Sequence, residues 1–215
     1  MRSYYELTTP LSTIKKQHMV EWFTHHNNAG SLTQPDRWTY TQITGSAGNC
    51  VSNSYGLSFW SGGGGTDLAT INFNDKRQYS HTGSAVIWIG QIQESNGQGG
   101  YGLGGDKSNF SVNAIKTVTP TSGYLMLYTA DGSTESGTNS SIPYTATHRI
   151  NTDTDGANWN TYKLEQKSGS SDLTFNGILE VTKTTNQSTA KMQPMAYTRL
   201  SYKTNNVRYC EAWNT

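Results

Sequence analysis

The sequence predicts an all-β fold, a two-sheet antiparallel jelly-roll sandwich, and three observations carry that reading. From Trp38 onward, strand-like runs alternate with Gly, Asn, Ser and Asp punctuation and no helical period emerges. In SSDLTFNGILEVTKT, Asn176-Gly177 separates two alternating runs, and both residues tolerate the positive φ that a tight type I′ hairpin requires. The run from Ala85 to Ile92 is apolar on both faces, as expected of a central strand covered from both sides.

Taken in order, the N-terminal segment differs from the rest. Thr9-Pro10 reads as an N-cap with proline at the first helical position, and Leu11, Ile14, Met19 and Trp22 fall on one face of a short helix. Residues 1–20 are therefore expected to form an arm or short helix, and residues 21–215 a single sandwich domain. The arm either folds over its own domain or packs on a neighbouring subunit. Strands are expected near 38–43, 50–60, 68–73, 84–93, 110–118, 123–129, 145–151, 160–167, 171–176, 178–184 and 206–213. Leu173, Phe175, Ile178 and Leu179 flank the Asn-Gly turn and help set its register. Residues 61–65, 95–100 and 131–141 are loops by composition. Trp38, Trp88 and Trp159 are expected in the core.

Composition narrows the partners. Only 33% of the 215 residues are hydrophobic, but 6 Trp, 13 Tyr and 5 Phe bury large areas per side chain. Charged residues make up 14% and the formal net charge is +1, so no field favours nucleic acid. No apolar run approaches the roughly 20 residues that span a bilayer, so no membrane insertion is expected. The first 22 residues lack an apolar h-region and a small-residue cleavage site and do not read as a secretory signal. A Gly/Ser/Thr/Asn-rich exterior without a signal fits a virion component, which leaves its host by lysis or with the particle. Cys50 and Cys210 are either a disulfide joining the two ends of the sandwich or two buried thiols.

Four segments carry a resemblance: WFTHHNNAGSLTQPDRWTY, GSAVIWIGQIQ, WNTYKLEQKSGSSDLTFNG and KMQPMAYTRLSYKTNNVRYCEAW. Their order resembles the concanavalin A-like lectin/glucanase superfamily, including its laminin-G-like and pentraxin-like members, over most of residues 20–215. Trp159-Asn160-Thr161-Tyr162-Lys163-Leu164-Glu165 is similar to that superfamily's Trp-led strand, Asn176-Gly177 to its hairpin turn, and Gln193-Pro194 to the stretch before its last strand. The resemblance implies the fold. It leaves function open, because lectins, glycosidases, lyases, adhesion modules and viral surface domains all use that fold.

The resemblance also defines a test for chemistry. Retaining glycosidases of this fold carry two glutamates around a central aspartate on one strand, because nucleophile and acid/base must flank one sugar about 5 Å apart. Neither Glu-x-Asp-x-Glu nor its one-residue-longer form is present. Gln91-Ile92-Gln93 is similar to the Gln-(Ile/Val)-His of alginate-lyase-like members, but Gln93 stands where the proton-transferring histidine would be and cannot titrate near neutral pH. His25 and His26 point to opposite faces of a strand and cannot share a metal, and His81 and His148 are isolated. No catalytic residue is therefore expected.

Asp153-Thr154-Asp155-Gly156 places oxygen ligands at alternate positions before a turn glycine. No glutamate follows at EF-hand spacing, which favours a solvated turn and leaves Asp153 and Asp155 as weak calcium candidates. No other cofactor is expected. Sugar recognition needs planar polar groups beside an aromatic platform, and the candidates for it are Trp60, Asp75, Arg77, Tyr79 and Tyr101, against the alternative that these aromatics pack into the core. The expected function is that of a non-catalytic exterior protein. The leading form is a capsid-decoration, head-fibre or tail-fibre component that packs on its own copies or other structural subunits through the arm and sandwich faces. The alternatives are a glycan-binding lectin module and, third, a polysaccharide lyase or hydrolase.

Overall fold

The computed structural model describes residues 18–23, 38–45, 48–53, 56–62, 68–73, 79–92, 98–104, 114–118, 124–143, 159–199 and 204–215. These form two antiparallel sheets. The eight-stranded sheet runs β13 (Ile178–Lys183), β12 (Ser170–Phe175), β11 (Asn160–Lys167), β6 (Ser84–Ile92), β15 (Thr204–Asn214), β4 (Gly56–Trp60) and β3 (Asn49–Asn53), with β1 (His18–Trp22) also paired to β15. The seven-stranded sheet runs β10 (Glu135–Pro143), β9 (Tyr124–Ala130), β8 (Ala114–Val118), β7 (Gln98–Gly104), β14 (Gln193–Arg199), β5 (Leu68–Phe73) and β2 (Trp38–Thr44). The sheets face each other across one core, giving the antiparallel sandwich that the alternation predicts.

Aromatic rings run through that core in unbroken contact. Trp38 meets Phe23, Phe73 and Trp88 at centroid distances of 5.2, 5.1 and 5.6 Å. Trp88 stacks on Tyr101 at 5.6 Å, Tyr101 meets Tyr162 at 5.1 Å, and Tyr162 meets Phe175 at 5.3 Å. These spacings lie in the attractive range for offset and tilted pairs, so a few large rings do the packing that a low apolar content leaves to them. Gly90 makes room for this chain, because a Cβ there would lie 2.4 Å from the Tyr101 ring.

The tight hairpin forms as expected, with φ of 48° at Asn176 and 85° at Gly177 between β12 and β13. Leu173 and Phe175 point into the core, whereas Ile178 and Leu179 are 60% and 58% exposed. Trp38 and Trp88 are buried and Trp159 is only half-buried.

Several expectations are corrected. The described end of the N-terminal segment is a strand, not a helix. β4 pairs only Thr204–Val207 of the long strand β15, and β1 covers the edge from Tyr209 to Trp213 that would otherwise expose unpaired backbone groups. Residues 1–17 lie outside the described residues. The run at 50–60 is the hairpin β3–β4 rather than one strand. Of the composition-defined loops, 95–100 overlaps the start of β7, and 131–141 is mostly β10. In the latter the turn is closed by Asp131, whose Oδ1 accepts the Ser133 and Thr134 amides at 2.8 and 2.7 Å. β10 sits at the sheet edge with most of its described side chains exposed, which suits its polar sequence. β14 was not expected, and the strand expected at 145–151 lies outside the described residues.

Cys50 and Cys210 are free buried thiols, which decides between the two alternatives. The register explains it: Cys50 lies opposite Phe59, which lies opposite Asn205, five residues from Cys210 along β15. With the bulge, that separation matches the four steps from Ile92 to Trp88 on β6, about 14 Å along the strand alone and far beyond disulfide reach. Burial pushes the Cys50 thiol up to about 12 and raises that of Cys210 as well.

Candidate functional site

The structure separates the residues expected to hold a sugar. Tyr79 and Tyr101 have no exposed surface, and the Tyr101 hydroxyl donates to the Gln91 and Asn206 carbonyls at 2.8 Å each. Both are core residues and not platforms. Trp60 is half-buried at the end of β4, on the same outward side as Ser58. Asp75, Arg77, Asp153 and Asp155 lie outside the described residues.

The outer face of the eight-stranded sheet assembles a different set. Alternation on β15 puts Val207 inward, and a bulge between Val207 and Tyr209 then turns Tyr209, Glu211 and Trp213 outward while Cys210 and Ala212 face the core. Across β4, β15 and β6 the outward row is Ser58, Asn206 and Gln91. Ser58 Oγ donates to Asn206 Oδ1 at 2.6 Å, and Asn206 Nδ2 donates to Gln91 Oε1 at 3.1 Å. Trp159 immediately precedes the Asn160–Gly90 pair, so alternation places it beside Gln91 at the end of this row. Arg208, the bulge residue, lays its guanidinium 4.2 Å from the Trp159 ring centroid. From β4 to β11 the row spans about 14 Å at ordinary strand spacing.

One step along β15, the rings of Trp22 and Tyr209 lie 4.5 Å apart at 56°, and Trp22 is 45% exposed. Glu211 accepts the Tyr209 hydroxyl at 2.6 Å and contacts His18 Nε2 at 2.8 Å. Burial, then this bond to Glu211, raises the Tyr209 hydroxyl well above its ordinary value. Farther along the face, Lys163 pairs with Glu165 at 3.1 Å. Lys167 pairs with Asp172 at 2.6 Å, and Thr182 donates to Asp172 at 2.7 Å. Burial alone would raise the Asp172 carboxyl, but these bonds and the nearby lysine charges hold it below its ordinary value.

The outer face of the seven-stranded sheet is built otherwise. In its middle strands the outward positions are Gly100, Gly102 and Gly104 on β7, Met195 and Tyr197 on β14, and Thr70 and Asn72 on β5. All are buried although they point away from the core, Tyr197 and Asn72 at 1% exposure. Asn72 Nδ2 donates to Thr70 Oγ1 at 2.9 Å, while its Oδ1 is buried without a hydrogen-bond partner. No carboxylate stands at these middle positions.

Sequence reading missed Trp22, Asn206, Arg208 and Tyr209. The local signal was present, since NNVRYCEAW interleaves amides, a cation and aromatics, but the faces of these residues depend on the bulge.

No family model matches the sequence, and no curated protein matches it. Among solved structures the chain is similar to a Bacillus licheniformis beta-glucanase, with a TM-score of 0.61 at 9% identity over 95% of this chain and 100% of that one. It is similar to the Crh5 transglycosylase, with a TM-score of 0.60 at 13% identity over 92% of this chain and 84% of that one. The carbohydrate recognition domain of Emp46p aligns with a TM-score of 0.54 at 8% identity over 89% of this chain and 97% of that one. These likenesses are of fold, and with the sheet topology they agree on one architecture. The chain has the concanavalin A-like jelly-roll fold that its sequence motifs resemble.

Proposed function

We propose that the chain is a non-catalytic saccharide-binding domain that takes its ligand on the outer face of the eight-stranded sheet. The observation that carries this reading is the continuity of the Ser58–Asn206–Gln91 row, half-buried at Ser58 and Asn206 and buried at Gln91, with Trp159 at its end and the exposed Trp22 packed on half-buried Tyr209 beside it. Amides meet a sugar's hydroxyl rim and aromatic rings meet its apolar face, so both chemistries lie within reach of one oligosaccharide. A carbohydrate recognition domain among the similar folds supports the reading, although a beta-glucanase and a transglycosylase stand beside it. The lack of a Glu-x-Asp-x-Glu strand favours binding over hydrolysis. The described carboxylates of the face, Glu165, Asp172 and Glu211, are each engaged by neighbouring side chains.

The test is calorimetric titration of an oligosaccharide panel with a parallel assay for new reducing ends or unsaturated sugars. Binding that falls at least about tenfold in Trp22→Ala and Asn206→Ala, with no product formed, is expected. Equal binding by both variants would move the site elsewhere, and product formation would make the protein an enzyme.

A second reading, a subunit of an exterior assembly such as a capsid-decoration or fibre component, draws on the exposed Ile178 and Leu179 at the hairpin. Light scattering that shows an oligomer, dissociated by Ile178→Ser with Leu179→Ser, would favour it. A monomer at all concentrations removes it.

A further inference from the structure

We infer that the ligand of this face is an acidic saccharide, whose oxyanion is received by Arg208 at the Trp159 end of the row. The inference rests on the saccharide-binding reading and adds the chemical class. Arg208 Nε is buried without a hydrogen-bond partner, and the neighbouring Trp159 Nε1 is in the same condition. Two donors without acceptors, next to each other on a half-buried surface, carry a desolvation cost that a bound acceptor would relieve.

The charge balance points the same way. No carboxylate among the described residues pairs with Arg208. Glu211, the outward carboxylate nearest along β15, is already occupied by His18 and the Tyr209 hydroxyl. The guanidinium is held over the Trp159 ring, a contact that does not use its hydrogen bonds. A carboxylate or sulfate ester matches such a fork in two parallel charge-assisted bonds, which a neutral hydroxyl cannot do. An oxyanion seated there leaves the rest of the sugar chain over Gln91, Asn206 and Ser58.

The experiment uses the full chain and matched probes. Uronate oligosaccharides are titrated beside their carboxyl-reduced forms, with a sulfated galactan oligosaccharide as the other oxyanion source. Expected is at least about a tenfold preference for an acidic probe over its neutral counterpart, reduced by added salt. Arg208→Gln should abolish that preference. Arg208→Lys, which keeps the charge and loses the fork, should retain only part of it. Which acidic probe binds more tightly assigns the oxyanion as carboxylate or sulfate. Equal affinity for acidic and reduced forms, or a preference that survives Arg208→Gln, overturns the inference and leaves the saccharide reading standing. If no probe of either kind binds, both fall. Near-ultraviolet circular dichroism of each variant confirms that the fold is retained.

Discussion

The two outer faces of the sandwich contrast more sharply than its two sheets do. On the seven-stranded sheet the middle of the face is sealed: Tyr197, Asn72, Thr70 and Met195 point away from the core and are still buried. On the eight-stranded sheet the corresponding face carries half-buried Ile87 and Ile89, paired charges, an amide row and an exposed tryptophan. The lesson is that outward direction and solvent exposure are separate properties. Side chains on the first face act as packing and those on the second as a recognition surface, so substitutions should split between stability and binding.

The largest effect is expected from a matched pair. Tyr197→Ala on the sealed face should cost about 3 kcal/mol in urea unfolding, and Trp22→Ala on the open face less than about 1 kcal/mol. Equal costs would break the comparison. Smaller again is Gly104→Ala, where a Cβ would come within 2.7 Å of Met195 Sδ. The flexible thioether can swing aside, so about 1 kcal/mol is expected from the same titration.

The smallest effect is in acid. Asp172 is held below its ordinary carboxylate value, so the stability it supplies is present above about pH 4 and is lost as pH falls through its lower folded value. Thermal unfolding of Asp172→Asn between pH 2 and 6 should lose part of that acid limb, whereas Tyr197→Phe on the sealed face should keep its shape.

Much of the fold was legible in local sequence. Alternation located β2, β5, β6 and β11 closely, and Asn176-Gly177 fixed its hairpin because backbone sterics alone select those residues at positive φ. β7 and β10 were not legible, since Gly-rich and polar runs have no apolar period to betray a strand. They form because neighbouring strands supply the hydrogen-bond ladder. β1 was misread because Met19 and Trp22 sit at helical spacing, and only the open edge of β15 makes extended pairing better. The site was less legible than the fold. Tyr79 and Tyr101 share the composition of a platform, yet the bridge to Met192 puts the first in the core and the pleat of β7 the second.

By itself, then, the sequence determined an all-β sandwich built on a few large rings and lacking the clustered acids of a glycosidase. Those properties follow from side-chain period, turn sterics and residue chemistry, which are local. Tertiary structure decided which aromatics face outward. Simple alternation from the buried Val207 would place Tyr209, Glu211 and Trp213 in the core. The pairing of Val207 with Gly90 and of Tyr209 with Ile89 leaves Arg208 unpaired between them and turns those three side chains outward. A single extra residue against a neighbouring strand sets that face, and its effect depends on a partner more than a hundred positions away in the chain.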